Sequence, residues 1–284
     1  MIDEMLQRMA VLIAGVILVG ATPPARAETL SPIPAAGLAV SAVNSNDDKW
    51  VFSSALYLWA MELSGTATIQ GNSANVSLPL DEAFSKMDLG FTGYFDLAKP
   101  QYGFYVNLNY FLLAFNGTHA GGRPFVTLDT QAWIVESACY YRILDHAGKL
   151  PARLYVVAGG RYWNLHNNIG VNTGSGRNAD ADTIWLLDPI VGLRLQAYVT
   201  KRIHIQGQTD VGGFDLGYQT SRFSWQLMGT VGYDFTMPAM KLPSTVFAGW
   251  RQINDQYYRG DGPDKTGYHF NFSGIILGLS CQVF

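Results

Sequence analysis

Eight ionisable residues stand within otherwise apolar, alternating stretches of the chain: Asp96, Glu136, Arg161, Asp188, Arg194, Asp210, Arg251 and Asp255. Uncharged polar residues share their parity, among them Asn107, Asn109, Gln206, Gln208 and Gln226. Five acids against three arginines is near balance, and buried charge without a partner is very costly. Such a set would either lock together through ion pairs and hydrogen bonds or line a polar path for small solutes. Asp188 and Arg194 share one strand face, with Arg161 on the preceding strand as a cross-strand partner. Glu136 joins the set although its own strand alternates poorly.

Hydrolysis is the other chemistry these residue types allow. His166, Asp180 and Asp182 fall in one polar stretch and His119 in another, where a surface protease of omptin type would need them; His204 falls at the opposite end. None of these provides a base with an orienting partner, so an enzyme is not expected. Thr173-Gly-Ser-Gly-Arg177 lacks the strand–helix setting and the Lys-Ser/Thr ending of a phosphate loop. No Cys/His spacing matches a zinc site, and neither metal nor cofactor is expected. A net charge of −3 gives no basic footprint for nucleic acid.

The elements that would position these residues follow from the composition. Of 284 residues, 48% are hydrophobic and only 14% charged, against about a quarter charged in ordinary soluble domains. Yet no apolar run after the start reaches the ~20 residues of a membrane helix. Apolar contact spread over one residue in two of many strands reconciles the two facts. Leu89, Phe91, Phe95 and Leu97 oppose Thr92, Tyr94 and Asp96; Phe104, Val106, Leu108 and Tyr110 oppose Tyr105, Asn107 and Asn109. The same period of two places Ile203, Ile205 and Val211 against His204, Gln206, Gln208 and Asp210. It places Trp225, Leu227, Val231 and Tyr233 against Ser224, Gln226, Thr230 and Asp234. These are half-buried strands of about the 9–11 residues a tilted membrane strand needs.

Ten strands are expected, at roughly 50–60, 89–99, 102–115, 125–144, 153–165, 185–199, 202–214, 222–236, 245–258 and 268–284. Short turns at 99–101, 145–152, 200–202 and 238–244 alternate with longer polar loops at 61–88, 116–124, 166–184, 215–221 and 259–267. That alternation is the signature of an outer-membrane barrel with short periplasmic turns and longer external loops. In hydrocarbon such a sheet must close, because unpaired backbone groups are too costly. The expected fold is therefore all-β, a closed antiparallel transmembrane barrel over residues 49–284; a soluble barrel of lipocalin type is the alternative. Aromatic girdles are expected from Trp59, Tyr110, Tyr162, Trp185 and Trp225 at one rim, and from Trp50, Tyr141, Tyr198, Tyr233 and Phe235 at the other.

The apolar run Met9–Gly20, followed by Ala25-Arg26-Ala27, reads as a signal peptide over residues 1–27, although Asp3 and Glu4 leave its start poorly basic. Residues 28–48, rich in Pro, Ala and Ser, read as a flexible periplasmic leader. Asp81-Glu-Ala-Phe-Ser-Lys-Met87 has helical composition and could fold over the mouth or form a solvent-facing turn. Cys139 and Cys281 fall on non-neighbouring strands and are expected as free, apolar-packed thiols, since a disulfide needs Cα atoms within about 7 Å. Phe284 is the terminal aromatic expected as an assembly signal. It is out of parity with Ile275, Leu277, Leu279, Cys281 and Val283, so either Val283 ends the lipid-facing row or a bulge resets the register.

Trp185-Leu-Leu-Asp-Pro-Ile-Val-Gly-Leu-Arg194, Thr209-Asp-Val-Gly-Gly-Phe214 and Ser224-Trp-Gln226 together resemble a family of uncharacterised proteobacterial outer-membrane β-barrel proteins. Tyr57-Leu-Trp-Ala60, Leu63-Ser-Gly-Thr66, Arg161-Tyr-Trp163 and Leu277-Gly-Leu279 look like further elements of it. Departures are Thr209 in place of Gly, Trp250 in place of Tyr, and the ending Cys281-Gln-Val-Phe284. The resemblance implies a Gram-negative outer-membrane location and carries no activity. The expected partners are outer-membrane lipid and lipopolysaccharide and the barrel-assembly machinery. The expected role is structural or surface-binding with a salt-bridged lumen, the alternative being a narrow, porin-like channel for small polar solutes.

Overall fold

Alternation of apolar and polar residues commits successive side chains to opposite faces of a sheet, and the backbone follows that instruction almost throughout. The computed structural model describes residues 49–283 except 70–71, 81–86, 119–123, 148–149, 174–175, 218 and 239. Among the described residues the strands are β1 (Val51–Ile69), β2 (Asn72–Leu78), β3 (Met87–Ala98), β4 (Tyr102–Thr118), β5 (Pro124–His146) and β6 (Ala152–Thr173). They continue with β7 (Gly176–Tyr198), β8 (Ile203–Gly212), β9 (Phe223–Thr236), β10 (Pro243–Arg259) and β11 (Thr266–Gln282). Each strand pairs antiparallel with its neighbour, and β1 closes the wall by pairing with β11 from Ser53–Gln282 to Thr68–Gly267. Ten strands make the closed barrel; β2 is an extra hairpin arm on the far end of β1.

Two expected loops are corrected and a third is shortened at its described ends. The stretches 61–88 and 166–184 are largely strand, β1–β2 pairing to Ile69–Asn72 and β6–β7 to Thr173–Gly176, and the described ends of 116–124 are strand as well, β4–β5 pairing to Thr118–Pro124. Their polarity was the misleading signal. Thr66, Thr68, Ile69, Val126, Thr127, Ile169 and Val171 are β-branched strand formers. The loops at 215–221 and 259–267 stand, shortened by a residue or two of strand at 259 and 266–267.

The wall separates two chemistries by parity. On β9, Gln226 is 1% exposed and Leu227 beside it 52%. Leu187, Val191, Leu193 and Leu195 on β7, Val231 on β9, and Ile275 and Leu277 on β11 are likewise exposed outside. Trp50, Tyr141, Trp185 and Tyr233 stand exposed as expected of rim aromatics, but Trp59 does not. It shares the inward parity of Ala55, Tyr57 and Met61 and is buried.

Inward glycines let large neighbours in. A Cβ on Gly278 would lie 2.4 Å from the Phe247 ring and 2.5 Å from Tyr57 Cβ; one on Gly192 would lie 2.6 Å from Asp210 Cβ.

Both cysteines are free; Cys281 is buried near Ser244 Oγ (3.5 Å), whereas Cys139 is exposed on the wall rather than packed. The β1–β11 ladder runs without a register shift to Gln282, and Val283 N–H donates to Phe52 carbonyl at 2.8 Å, so no bulge resets the described last strand. Residues 1–48, with the expected signal peptide and leader, lie outside the described residues. So do Asp81–Lys86 of the expected helical segment, and Phe284.

Candidate functional site

The inward rows converge on one carboxylate. Glu136, on β5, has no exposed surface. Arg161 stands directly opposite on β6, and its Nη2 reaches Glu136 Oε2 at 2.8 Å while also donating to Asp210 Oδ1 on β8 at 2.6 Å. Tyr105 hydroxyl donates to Glu136 Oε1 at 2.5 Å, and the Gln208 and Gln226 amides approach the same carboxylate at 3.3 Å.

Gln226 links this centre to the far wall. Its amide nitrogen donates to Asp210 Oδ2 (2.8 Å), and its oxygen accepts two hydrogen bonds from Arg251 (2.7 and 2.9 Å). Arg251 Nη1 then donates to Tyr57 hydroxyl (3.0 Å) and Asn109 Oδ1 (2.8 Å), and its guanidinium lies 4.8 Å from the centre of the Trp59 ring. Toward the turn end, Arg194 donates to Gln208 (2.9 Å) and Tyr94 hydroxyl (2.9 Å) and stacks over Tyr105 and Tyr140 at 4.5 and 4.8 Å. Asp96 sits 3.9 Å from Arg194 and accepts the Tyr140 hydroxyl at 2.9 Å.

The eight expected residues are thus all inward and fully or almost fully buried, but they divide into two groups. Asp96, Glu136 and Asp210 balance Arg161, Arg194 and Arg251 within one network. Asp188 and Asp255 stand apart, nearer the hairpin end. The expected pairing of Arg161 with Asp188 is corrected: they are opposite in register, yet Asp188 accepts Trp163 Nε1 (3.2 Å) and the Ser221 N–H (2.7 Å). Arg161 turns to Glu136 and Asp210 because two carboxylates there need its charge.

Above the network the lumen also holds an apolar group. Phe111, Ile134, Trp163, Leu165, Leu186, Ile253 and Phe272 are buried together. The network members that composition alone did not single out are aromatic: Tyr57, Trp59, Tyr94, Tyr105 and Tyr140. Tyr94 and Tyr105 share the parity of Asp96 and Asn107, which was the available signal.

Of the residues considered for hydrolysis, His166 Nδ1 lies 2.7 Å from Thr183 Oγ1, and His204 lies 3.3 Å from Asp234 at the opposite end. Asp180 and Asp182 are placed on β7, and His119 is outside the described residues. Among the described residues no three His, Cys, Asp or Glu side chains group as metal ligands.

No family model matches the chain, and no curated protein matches it. Among solved structures, it is similar to the outer membrane protease OmpT from Escherichia coli at 9% identity, covering 84% of this chain and 100% of that one, with a TM-score of 0.44. It is also similar to Ail, the attachment invasion locus protein of Yersinia pestis, in complex with a heparin analogue, at 10% identity over 82% and 97% (TM-score 0.33). Neisserial surface protein A matches at 12% identity over 82% and 95% (TM-score 0.29). None of these values bears on activity or ligand.

Removing one partner of a buried charge network leaves the others uncompensated. Glu136→Ala is expected to destabilise the folded barrel by about 3–5 kcal/mol in denaturant unfolding, with Glu136→Gln costing less. A loss below about 1 kcal/mol would mean that the arginines are satisfied some other way.

Proposed function

We propose that the chain is a transmembrane β-barrel of the bacterial outer membrane with a sealed lumen, serving a structural or surface-binding role through its projecting end. The observation that carries this reading is the continuity of the Glu136-centred network, whose hydrogen bonds tie side chains of β1, β3, β4, β5, β6, β7, β8, β9 and β10 across the interior. Arg161, Arg194, Arg251 and Glu136 are fully or almost fully buried, which supports a lumen filled by their contacts.

The membrane assignment rests on the outer wall. Exposed Leu, Val and Ile rows over this area need hydrocarbon or a partner to cover them, and a closed sheet without edges is the form that hydrocarbon permits. No described helix is long and apolar enough to cross a membrane; the crossing segments of this reading are strands.

Strand length supports the surface role. β5, β6 and β7 have 23, 22 and 23 residues, about twice what a tilted crossing needs. The surplus lies at the hairpin end, which faces outward in this reading, with the short turns facing the periplasm. Export through a cleaved signal over residues 1–27, contacts with lipid and lipopolysaccharide, and assembly through Phe284 belong to the same proposal. It assigns no catalytic role to His166, beside Thr183, or to His204, beside Asp234 and the Tyr198 ring.

In planar-bilayer recording the purified barrel is expected to be silent, and the double variant Glu136→Ala/Arg251→Ala to show discrete open steps. Ohmic steps from the unaltered protein would replace the sealed barrel with the narrow channel. Leu227→Arg should cost about 2–4 kcal/mol in lipid, and Leu227→Phe almost nothing. Tolerance of both would remove hydrocarbon from that face. Gln226 cannot serve as the inward control, because it bridges Asp210 and Arg251.

A further inference from the structure

Three acids balance three arginines in the central network, and two acids remain. Asp255, on β10, has no exposed surface, and neither of its carboxylate oxygens has a hydrogen-bond partner. Asp188 is the second charge in its surroundings, and the Ser221 and Tyr268 hydroxyls are among its polar neighbours, Ser221 also neighbouring Asp188. Ser224 stands directly opposite Asp255 on β9. The Ser221, Ser224 and Tyr268 hydroxyl oxygens are all buried and all unpartnered. Arg161 is the cation whose field reaches Asp255, and it is already engaged by Glu136 and Asp210.

The surrounding elements hold these oxygens in place. Asp188 is oriented by Trp163 Nε1 and by the Ser221 N–H. Ser221 is delivered by the segment after β8, where Gly213, Phe214 and Asp215 take φ of 84°, 63° and 53° and the Leu187 N–H donates to Gln219 carbonyl at 2.9 Å. The result is a buried group of two carboxylates and three hydroxyls with no positive charge of its own.

We propose that Asp188, Ser221, Ser224, Asp255 and Tyr268 form a site for a hard divalent cation of calcium type. All five donors are oxygen, which selects hard cations over the metals that prefer nitrogen or sulfur. Two carboxylates are neutralised by one divalent ion, whereas a monovalent ion would leave a buried negative charge. Calcium accepts irregular arrangements of six to eight oxygens, and magnesium demands a small, regular octahedron; donors drawn from four strands and a loop suit the former. The ion would fasten the 213–222 segment to β7 and β10 at the hairpin end. The proposal is independent of whether the lumen conducts.

Terbium, a luminescent stand-in for calcium, tests the site in the full-length barrel in detergent, because Trp163 contacts Asp188 and can sensitise an ion bound there. Emission excited through tryptophan is expected on titration with terbium, reversed by excess calcium, with binding weakened at least about tenfold in Asp255→Asn. Ser224→Ala, which keeps both charges, should weaken binding in the same direction and serves if Asp255→Asn fails to fold. Trp163→Phe should abolish the emission while the calcium-dependent rise in melting temperature persists. Absence of both emission and calcium-dependent melting in the unaltered protein would overturn the site. So would emission unchanged in both Asp255→Asn and Ser224→Ala, which would place the ion elsewhere. Asp255→Asn that melts higher than a calcium-insensitive parent would identify a neutral, protonated carboxyl instead.

Discussion

A charge enclosed by a barrel wall cannot be left alone, and in this protein that constraint fixes the interior. Glu136 lies near the centre of the lumen with no access to water, where removing one partner of a buried pair costs several kcal/mol. Every group within reach is turned toward it: Arg161 from the adjacent strand, Tyr105 from the other side, Gln208 and Gln226 from across the lumen. Arg251 completes the circuit by returning to Tyr57 and Asn109. A network of this kind sets register as well as filling space, because sliding any strand by one residue would move its charge into the outer face. Gly278 and Gly192 follow from the same need, since a side chain on either would displace Tyr57 or Asp210.

The outer face obeys the complementary rule. Its exposed rows are largely Leu, Val and Ile, with aromatics among them. The two rules together explain why the chain is so poor in charged residues: the inward rows admit only what can be paired. At the hairpin end the strands lengthen, as β5, β6 and β7 show. There the wall encloses a second polar group, Asp188 and Asp255 with their hydroxyl neighbours, and Arg161, the cation whose field reaches them, is ion-paired to Glu136 and Asp210 instead.

Parity was legible in the sequence because it is local. The inward placement of Asp96, Asn107, Arg161, Gln208, Asp210 and Gln226 follows from period two alone, and so does the outward placement of Leu227 and Val231. Partnership was not legible. Arg161 and Asp188 are opposite in register, yet Arg161 pairs with Asp210, 49 residues away, because the choice depends on which carboxylate across the lumen lacks a cation. The residue type of Trp59 points to a rim, although its parity with Tyr57 puts it under Arg251. The long hairpins look like loops in the sequence because their polarity masks their β-branched content. The role of Ser221 and Ser224 beside Asp255 depends on a loop folding back over a strand end, which no periodicity records.

A double-mutant cycle on Glu136 and Arg161 measures the central interaction directly. Unfolding free energies of Glu136→Ala, Arg161→Ala and the double variant should show a coupling of about 1–3 kcal/mol, because each charge is buried for the sake of the other. Losses that add to within about 0.5 kcal/mol would mean that the two residues do not depend on each other, and that something other than this ion pair holds the lumen closed.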